Sequence, residues 1–463
     1  MRLSLVSLLG LAAVTLADTK QINCNADNPC PEDQPCCSQY GVCGTGAYCL
    51  GGCDIRFSYN LTACMPQPVM KSFKTTFDST DEVQSMNKYL GNASDTDWVY
   101  SGYIDTNDGA LLLQMPKDSV GTVISSSKYL YYGKVSATLK SSHDSGVVSA
   151  FILFSDVQDE IDFEFVGYNL TNPQTNYYWQ GALDYNNSRN YSTSNTFENY
   201  HTYEVDWHPD HIDWYIDSQK VRTLNKNETY NATSKIYKFP QTPSRIQFSL
   251  WPGGASSNAP GTIEWAGGPI NWDSQDIQDY GYYYSYLKEV EVTAYDLPDL
   301  EKVGDGDDDY NAFLYNSTEG LADNVYLTNK KTYLGSLKDS GLDPNNESSS
   351  SSSASESKTD SSSASKTSGS SSSTTANDDI PQGVGNGAYG NNNGNNNDNN
   401  SDNKATSTEE YTGGFMQNSN PTSTGGSSSK SGSSSANNAG AKNTHGVIGV
   451  LSGVVVGMIS ILL

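Results

Sequence analysis

The sequence predicts an all-β protein: a β-sandwich preceded by a small disulfide-rich module and followed by a disordered Ser/Asn-rich tail. Three observations carry this expectation. Short runs alternating between apolar and polar residues fill positions 66–295, with frequent glycine and little helical periodicity. All eight cysteines fall between Cys24 and Cys64, and an even count in so short a segment implies a disulfide framework. Beyond position 348 the chain turns serine-rich and then asparagine-rich, a composition that cannot bury a core.

Taken in order, residues 1–17 read as a secretory signal peptide: Met1-Arg2, an apolar run and the small Ala17. Residues 18–65 form the cysteine module, and 66–298 the sandwich. Its clearest strands are 135–139, 147–154, 203–207, 212–216 and 246–251. Residues 299–438 read as an acidic, then Ser/Asn-rich, glycosylated spacer without a core. The run Asp305-Gly306-Asp307-Asp308-Asp309 lacks the loop length and closing Glu of an EF-hand, so a solvated linker is expected there. An apolar end over 447–463 follows a polar spacer and the trio Asn438-Ala439-Gly440. That order predicts a GPI anchor on Asn438 with loss of 439–463. Sequons at Asn60, Asn92, Asn169, Asn190, Asn231 and Asn316 agree with a secreted chain.

The net charge of −26 excludes nucleic acid as a partner, since phosphates demand Lys and Arg, and disfavours polyanionic substrates. Aromatic residues make up 11% of the chain and suit a neutral sugar, whose faces stack on flat rings.

The stretch Asp159-Glu160-Ile161-Asp162-Phe163-Glu164-Phe165 alternates with the period of a strand. Glu160, Asp162 and Glu164 share one face, expected to meet water or ligand, while Ile161, Phe163 and Phe165 face the core. Mutual repulsion raises the proton affinity of at least one carboxyl. A neutral acid beside an ionised partner is what glycoside hydrolysis requires. Glu160 and Glu164 lie roughly 13 Å apart along a flat strand. Leaning side chains can approach the separation of about 5–5.5 Å of a retaining pair, and the wider inverting separation stays open. A solvated acidic edge strand is the competing reading.

The run Cys36-Cys37-Ser38-Gln39-Tyr40-Gly41-Val42-Cys43-Gly44, with Tyr48-Cys49, resembles the hevein-like chitin-binding module. Spacing alone leaves on the order of a hundred pairings open. The resemblance implies Cys24–Cys37, Cys30–Cys43 and Cys36–Cys49, leaving Cys53–Cys64. It also implies Ser38, Tyr40 and Tyr48 as N-acetylglucosamine contacts, with Val42 where that family has another aromatic.

The segment 159–165 is similar to the E-x-D-x-E signature of glycoside hydrolase family 16. Together with the cysteine module, the tail and the anchor signal, the chain resembles the Crh family of fungal cell-wall chitin–glucan transglycosylases. The resemblance implies a concanavalin-like jelly-roll with a concave cleft. It implies Glu160 as nucleophile, Asp162 as its support and Glu164 as acid/base, in retaining cleavage of chitin with transfer to β-glucan or chitin. Chitin and β-glucan would be the partners, and a GPI lipid would hold the chain to the outer face of the plasma membrane and in the wall.

Downstream, 244–251 and 262–265 alternate again, and Gln247, Trp251 and Thr262 are the expected sugar contacts, a polar face carrying a ring. Trp207, Trp214 and Trp265 read as core, and Trp179 fits either role. His143, His201, His208 and His211 lack the helical spacing of a metal site. No metal or cofactor is expected, and the chain is expected to act as a monomer. A plain hydrolase of chitin or β-1,3-glucan and a non-catalytic wall lectin are the alternatives.

Overall fold

The computed structural model describes residues 21–305 and 309–345. The signal peptide, the Ser- and Asn-rich tracts, Asn438 and the anchor signal lie outside the described residues, as do Gly306, Asp307 and Asp308 of the acidic run.

Two sheets face each other. The front sheet runs Arg189–Asn190, Gln174–Tyr178, Glu160–Val166, Val148–Ser155, Ser244–Trp251, Thr122–Ser126, Trp98–Ser101, Val83–Ser85. The back sheet runs Gln219–Asn225, His211–Ile216, His201–Trp207, Gly133–Lys140, Tyr282–Ala294, Ala110–Pro116, Tyr103–Asn107, with Phe73–Thr76 also paired to Tyr282–Ala294. Neighbours distant in sequence make this a jelly-roll sandwich: Val148–Ser155 pairs with Glu160–Val166 as a hairpin and with Ser244–Trp251 from far downstream.

Alternation decides which side chains meet between the sheets. Phe151 stacks on Phe248 at 5.0 Å, and Phe163 meets Tyr203 edge-on at 5.2 Å. Trp207 and Trp214 are fully buried, as the sequence reading had them. Each indole N–H finds a carbonyl: Trp207 donates to Pro240 O at 3.1 Å, and Trp214 to Asp162 O at 3.2 Å. The second bond ties the back sheet to the backbone of the acidic strand.

The module contains the disulfides Cys24–Cys37, Cys30–Cys43, Cys36–Cys49 and Cys53–Cys64, the pairing the hevein-like resemblance implies. The module does not stand apart. Cys36, Cys49, Leu50, Cys53, Ile55, Cys64 and Met65 belong to the same buried cluster as the sandwich interior.

The reading of 299 onward as a coreless spacer is corrected as far as residue 345. Ala312–Tyr315 pairs with Val325–Thr328 and with Gln67–Pro68, making a third sheet. Phe313 and Tyr315 sink into the main core. Further on, Asp339 O accepts from Gly46 N at 2.7 Å, and Gly341 N donates to Ala63 O at 2.8 Å. Gly46 sits at φ +61°, and a Cβ there would come within 2.1 Å of Leu337 O, so only glycine allows this approach. The segment is a strap that presses the module onto the sandwich. Two four-residue apolar strands set among Asp, Asn and Ser were too short to outweigh the surrounding composition.

Candidate active site

The acidic strand sits third in the front sheet, and its register fixes what surrounds each carboxyl. Glu160, Asp162 and Glu164 lie opposite Phe154, Ile152 and Ala150 on one side and Tyr178, Asn176 and Gln174 on the other. The next strand continues these rows with Arg245, Gln247 and Ser249. All of these residues therefore share the front face.

Of the two surroundings expected for the acidic face, water or ligand, bulk water is not the one found. Glu160, Asp162 and Glu164 are 1%, 0% and 2% exposed, so both faces of the strand are covered. Burial pushes the Glu160 carboxyl well above the usual carboxylate range, with the charges of Asp162 and Glu164 adding to it. Burial and then Asp162 raise Glu164 likewise. Burial lifts Asp162 to about 8 against the opposing pull of the Arg222 cation. Glu160 Oε2 and Glu164 Oε2 lack hydrogen-bond partners among the described residues, and Asp162 makes no hydrogen bond to Glu160. The three acids interact through space as one coupled unit.

This has a consequence for stability. An Asp carboxyl titrates near pH 3.9 in an unfolded chain, and burial pushes Asp162 up to about 8 in the folded one. The folded state therefore holds the proton more tightly. Its contribution is full below about pH 4 and is lost as pH rises through 8. The melting temperature is expected to fall between pH 5 and pH 8, and to fall less in Asp162→Asn. Equal slopes in thermal melts of the two proteins would contradict the assignment.

The expected sugar contacts are placed differently from one another. Gln247 lies on the acidic face two strands from the acids, and its Nε2 donates to Gln39 Oε1 of the module at 3.0 Å. Trp251 shares that face but is not a free platform. It is fully buried, stacked on Trp265 at 6.0 Å, in a cluster with Val148, Val166 and Ala266 that Tyr40 covers. Thr262 is not on a strand: Pro260–Trp265 is a short helix with proline in its first turn. Helical spacing turns Thr262 and Trp265 inward together, and Thr262 is fully buried. Trp265, expected in the core, is buried and donates to Gln174 Oε1 at 3.0 Å. Trp179 is half-buried in a turn after Gln174–Tyr178.

The module residues expected to hold sugar are buried or half-buried against their surroundings. Ser38 is buried, with its Oγ accepting from Val42 N at 3.3 Å. Tyr40 packs on the Trp251 cluster, and burial pushes its hydroxyl up to about 12. Tyr48 packs against the main core, its ring lying on Gly44. The histidines pair with carboxylates: His143 with Asp144 and Asp276, His201 with Asp217, His208 with Asp206, His211 with Asp210.

Several site residues escaped the sequence reading. Asp156 accepts from Gly52 N at 2.9 Å, Gln67 Nε2 at 2.8 Å and Tyr129 Oη at 2.7 Å. It thereby pins the module beside the acidic strand. Asp159 accepts from Gln180 N, Gln241 N and Thr242 Oγ1, drawing two distant loops to the strand's entry. Burial pushes each of these two acids up to about 6. Tyr178, opposite Glu160, has a hydroxyl raised by burial and by all three front-face carboxylates. Polar residues at strand ends were visible in the sequence, but partners such as Gln241 and Gly52 lie 82 and 104 residues away by chain, beyond any local pattern.

The family model "Glycosyl hydrolases family 16" matches residues 92–267. "Crh-like protein UTR2" of Candida albicans is 65% identical over 341 residues, 72% of each chain. "Congo red hypersensitive protein 2" of Saccharomyces cerevisiae is 53% identical over 327 residues, 70% of this chain and 69% of that one. Among solved structures, "Apo Crh5 transglycosylase" is 27% identical, covering 57% of this chain and 97% of that one, with a TM-score of 0.46.

Proposed function

We propose, from the premise that the chain belongs to the Crh-like proteins of glycosyl hydrolases family 16, that it is a retaining transglycosylase of the cell wall, cutting chitin and joining it to β-glucan or chitin. The observation that carries this is the row Glu160, Asp162, Glu164 on one face of one strand, buried and with raised proton affinity.

The chemistry follows from that row. Glu164, held protonated by burial, gives its proton to the glycosidic oxygen as Glu160 attacks the anomeric carbon. The C–O bond to the leaving chain breaks, and a glycosyl ester on Glu160 forms. Glu164, now ionised, takes the proton of an incoming sugar hydroxyl as that oxygen displaces Glu160. Asp162 sits between the two, and its own high proton affinity lets it hold the trio's remaining proton so that Glu160 is free to attack. Retention of configuration comes from the two displacements.

The choice of chitin rests on the family resemblance, and a net charge of −26 favours a neutral polysaccharide over an anionic one. The signal peptide, the spacer and an anchor at Asn438 would place the folded unit outside the cell, on the membrane's outer face or in the wall.

The test is an incubation of the secreted chain with chitin oligomers and a fluorescent β-glucan oligosaccharide, read by product mass. A hybrid product is expected. Shortened oligomers with no hybrid would make the protein a hydrolase, and untouched oligomers would make it a wall lectin.

A further inference from the structure

We infer that the disulfide-rich module is a fixed wall of the sugar cleft, in which Gln39 and Tyr40 set how far a sugar chain extends past the acids across the Ser244–Trp251 strand. This rests on the cleft reading above. A free chitin-binding module would turn Ser38, Tyr40 and Tyr48 to solvent, whereas here Tyr40 packs on the Trp251 cluster of the front sheet and Tyr48 against the main core.

Contacts run along one strand. Gln39 Oε1 accepts from Arg245 Nη2 at 2.7 Å and from Gln247 Nε2 at 3.0 Å. Gly51 lies so close to Arg245 that a Cβ would meet Nη1 at 2.3 Å. Farther along the strand, Tyr40 caps the Trp251 cluster. Gln247 lies two strands from Asp162 through Ile152, about 10 Å at the usual strand spacing. A chain crossing the front face from the acids therefore meets the module after that distance. The polar groups that would bind its next unit are already bonded to Gln39.

The module is held as part of the fold and does not behave as a hinged lid. Gly52 N donates to Asp156 Oδ1, Arg56 Nη1 donates to Gln180 O at 3.2 Å, and the strap bonds Gly46 and Ala63 from behind. Swinging it away would strip cover from Leu50, Ile55 and Met65, which share the sandwich core. Burial of such side chains is a large part of any domain's stability.

The experiment uses the full secreted chain and a ladder of chitin oligomers, with turnover of the longest compared to the shortest. Gln39→Ala is expected to raise that ratio about tenfold, the effect of one opened binding position. Gln39→Glu is expected to keep the wild-type ratio, because a carboxylate accepts from both Arg245 and Gln247. Where Gln39→Ala lowers the melting temperature, Tyr40→Ala takes its place and is expected to raise the same ratio. Retention on chitin beads is the second readout, and Tyr40→Ala is expected to leave it undiminished. An unchanged ratio in the folded variants overturns the wall, and so does loss of bead retention in Tyr40→Ala, which would mark a free lectin. Should the wild type turn over no oligomer, the catalytic reading fails, and bead retention alone decides for or against the wall.

Discussion

Glu160→Gln is expected to abolish formation of both hybrid and shortened products, by at least about 10³-fold or roughly 4 kcal/mol of transition-state stabilisation. The amide has nearly the carboxylate's shape but cannot form the glycosyl ester. The same change is expected to raise the melting temperature. Glu160 is buried beside two further acids, and burial together with their charges makes its ionised form costly. The amide removes that cost. A protein made more stable and inactive by one substitution is the mark of a site whose strain serves chemistry. The measurement is a thermal melt beside a product assay. An inactive but destabilised variant would mean that Glu160 is a packing residue.

Phe313→Ala is expected to cost about 3–5 kcal/mol, the range for emptying a buried aromatic site. Phe313 is fully buried in the main cluster and stands edge-on to Tyr131 at 5.7 Å. Its strand also pairs with Gln67–Pro68, whose Gln67 bonds Asp156. Loosening it therefore weakens the seat of the module as well as the core. Thermal melting of the full chain checks this. A change under about 0.5 kcal/mol, the usual size for an exposed position, would return residues 299–345 to the status of a spacer.

These two residues also mark the limits of what the sequence shows. The period-2 pattern over 159–165 fixed which side chains share a face, because a strand has only two faces. It did not show that the three carboxyls are buried, nor that residues 39–52, over 100 positions upstream, close the same face two strands away at Arg245 and Gln247. Asp156, which seats that segment, has no signature of its own. The alternation at 262–265 was too short to separate a strand from a helix. Pro260 at the helix start settled it in favour of the helix, which turned Thr262 inward with Trp265. Trp251 was correctly placed on the acidic face by parity, but parity carries no information about a neighbour such as Tyr40. The strap was hidden for the opposite reason: Ala312–Tyr315 and Val325–Thr328 are apolar, yet each makes only four residues in a polar, acidic stretch. The cysteines were the most legible part, since eight in one short segment leave no other use in an oxidising compartment.

Covalent catalysis by Glu160 is tested most directly by the mass of the enzyme itself, trapped during turnover of a chitin oligomer by rapid acid quench and followed by peptide mapping. An added glycosyl group is expected on the peptide containing residues 159–165, located to Glu160 and absent from Glu160→Gln. Turnover with no adduct on that peptide, or with one on another residue, would contradict a retaining mechanism through Glu160.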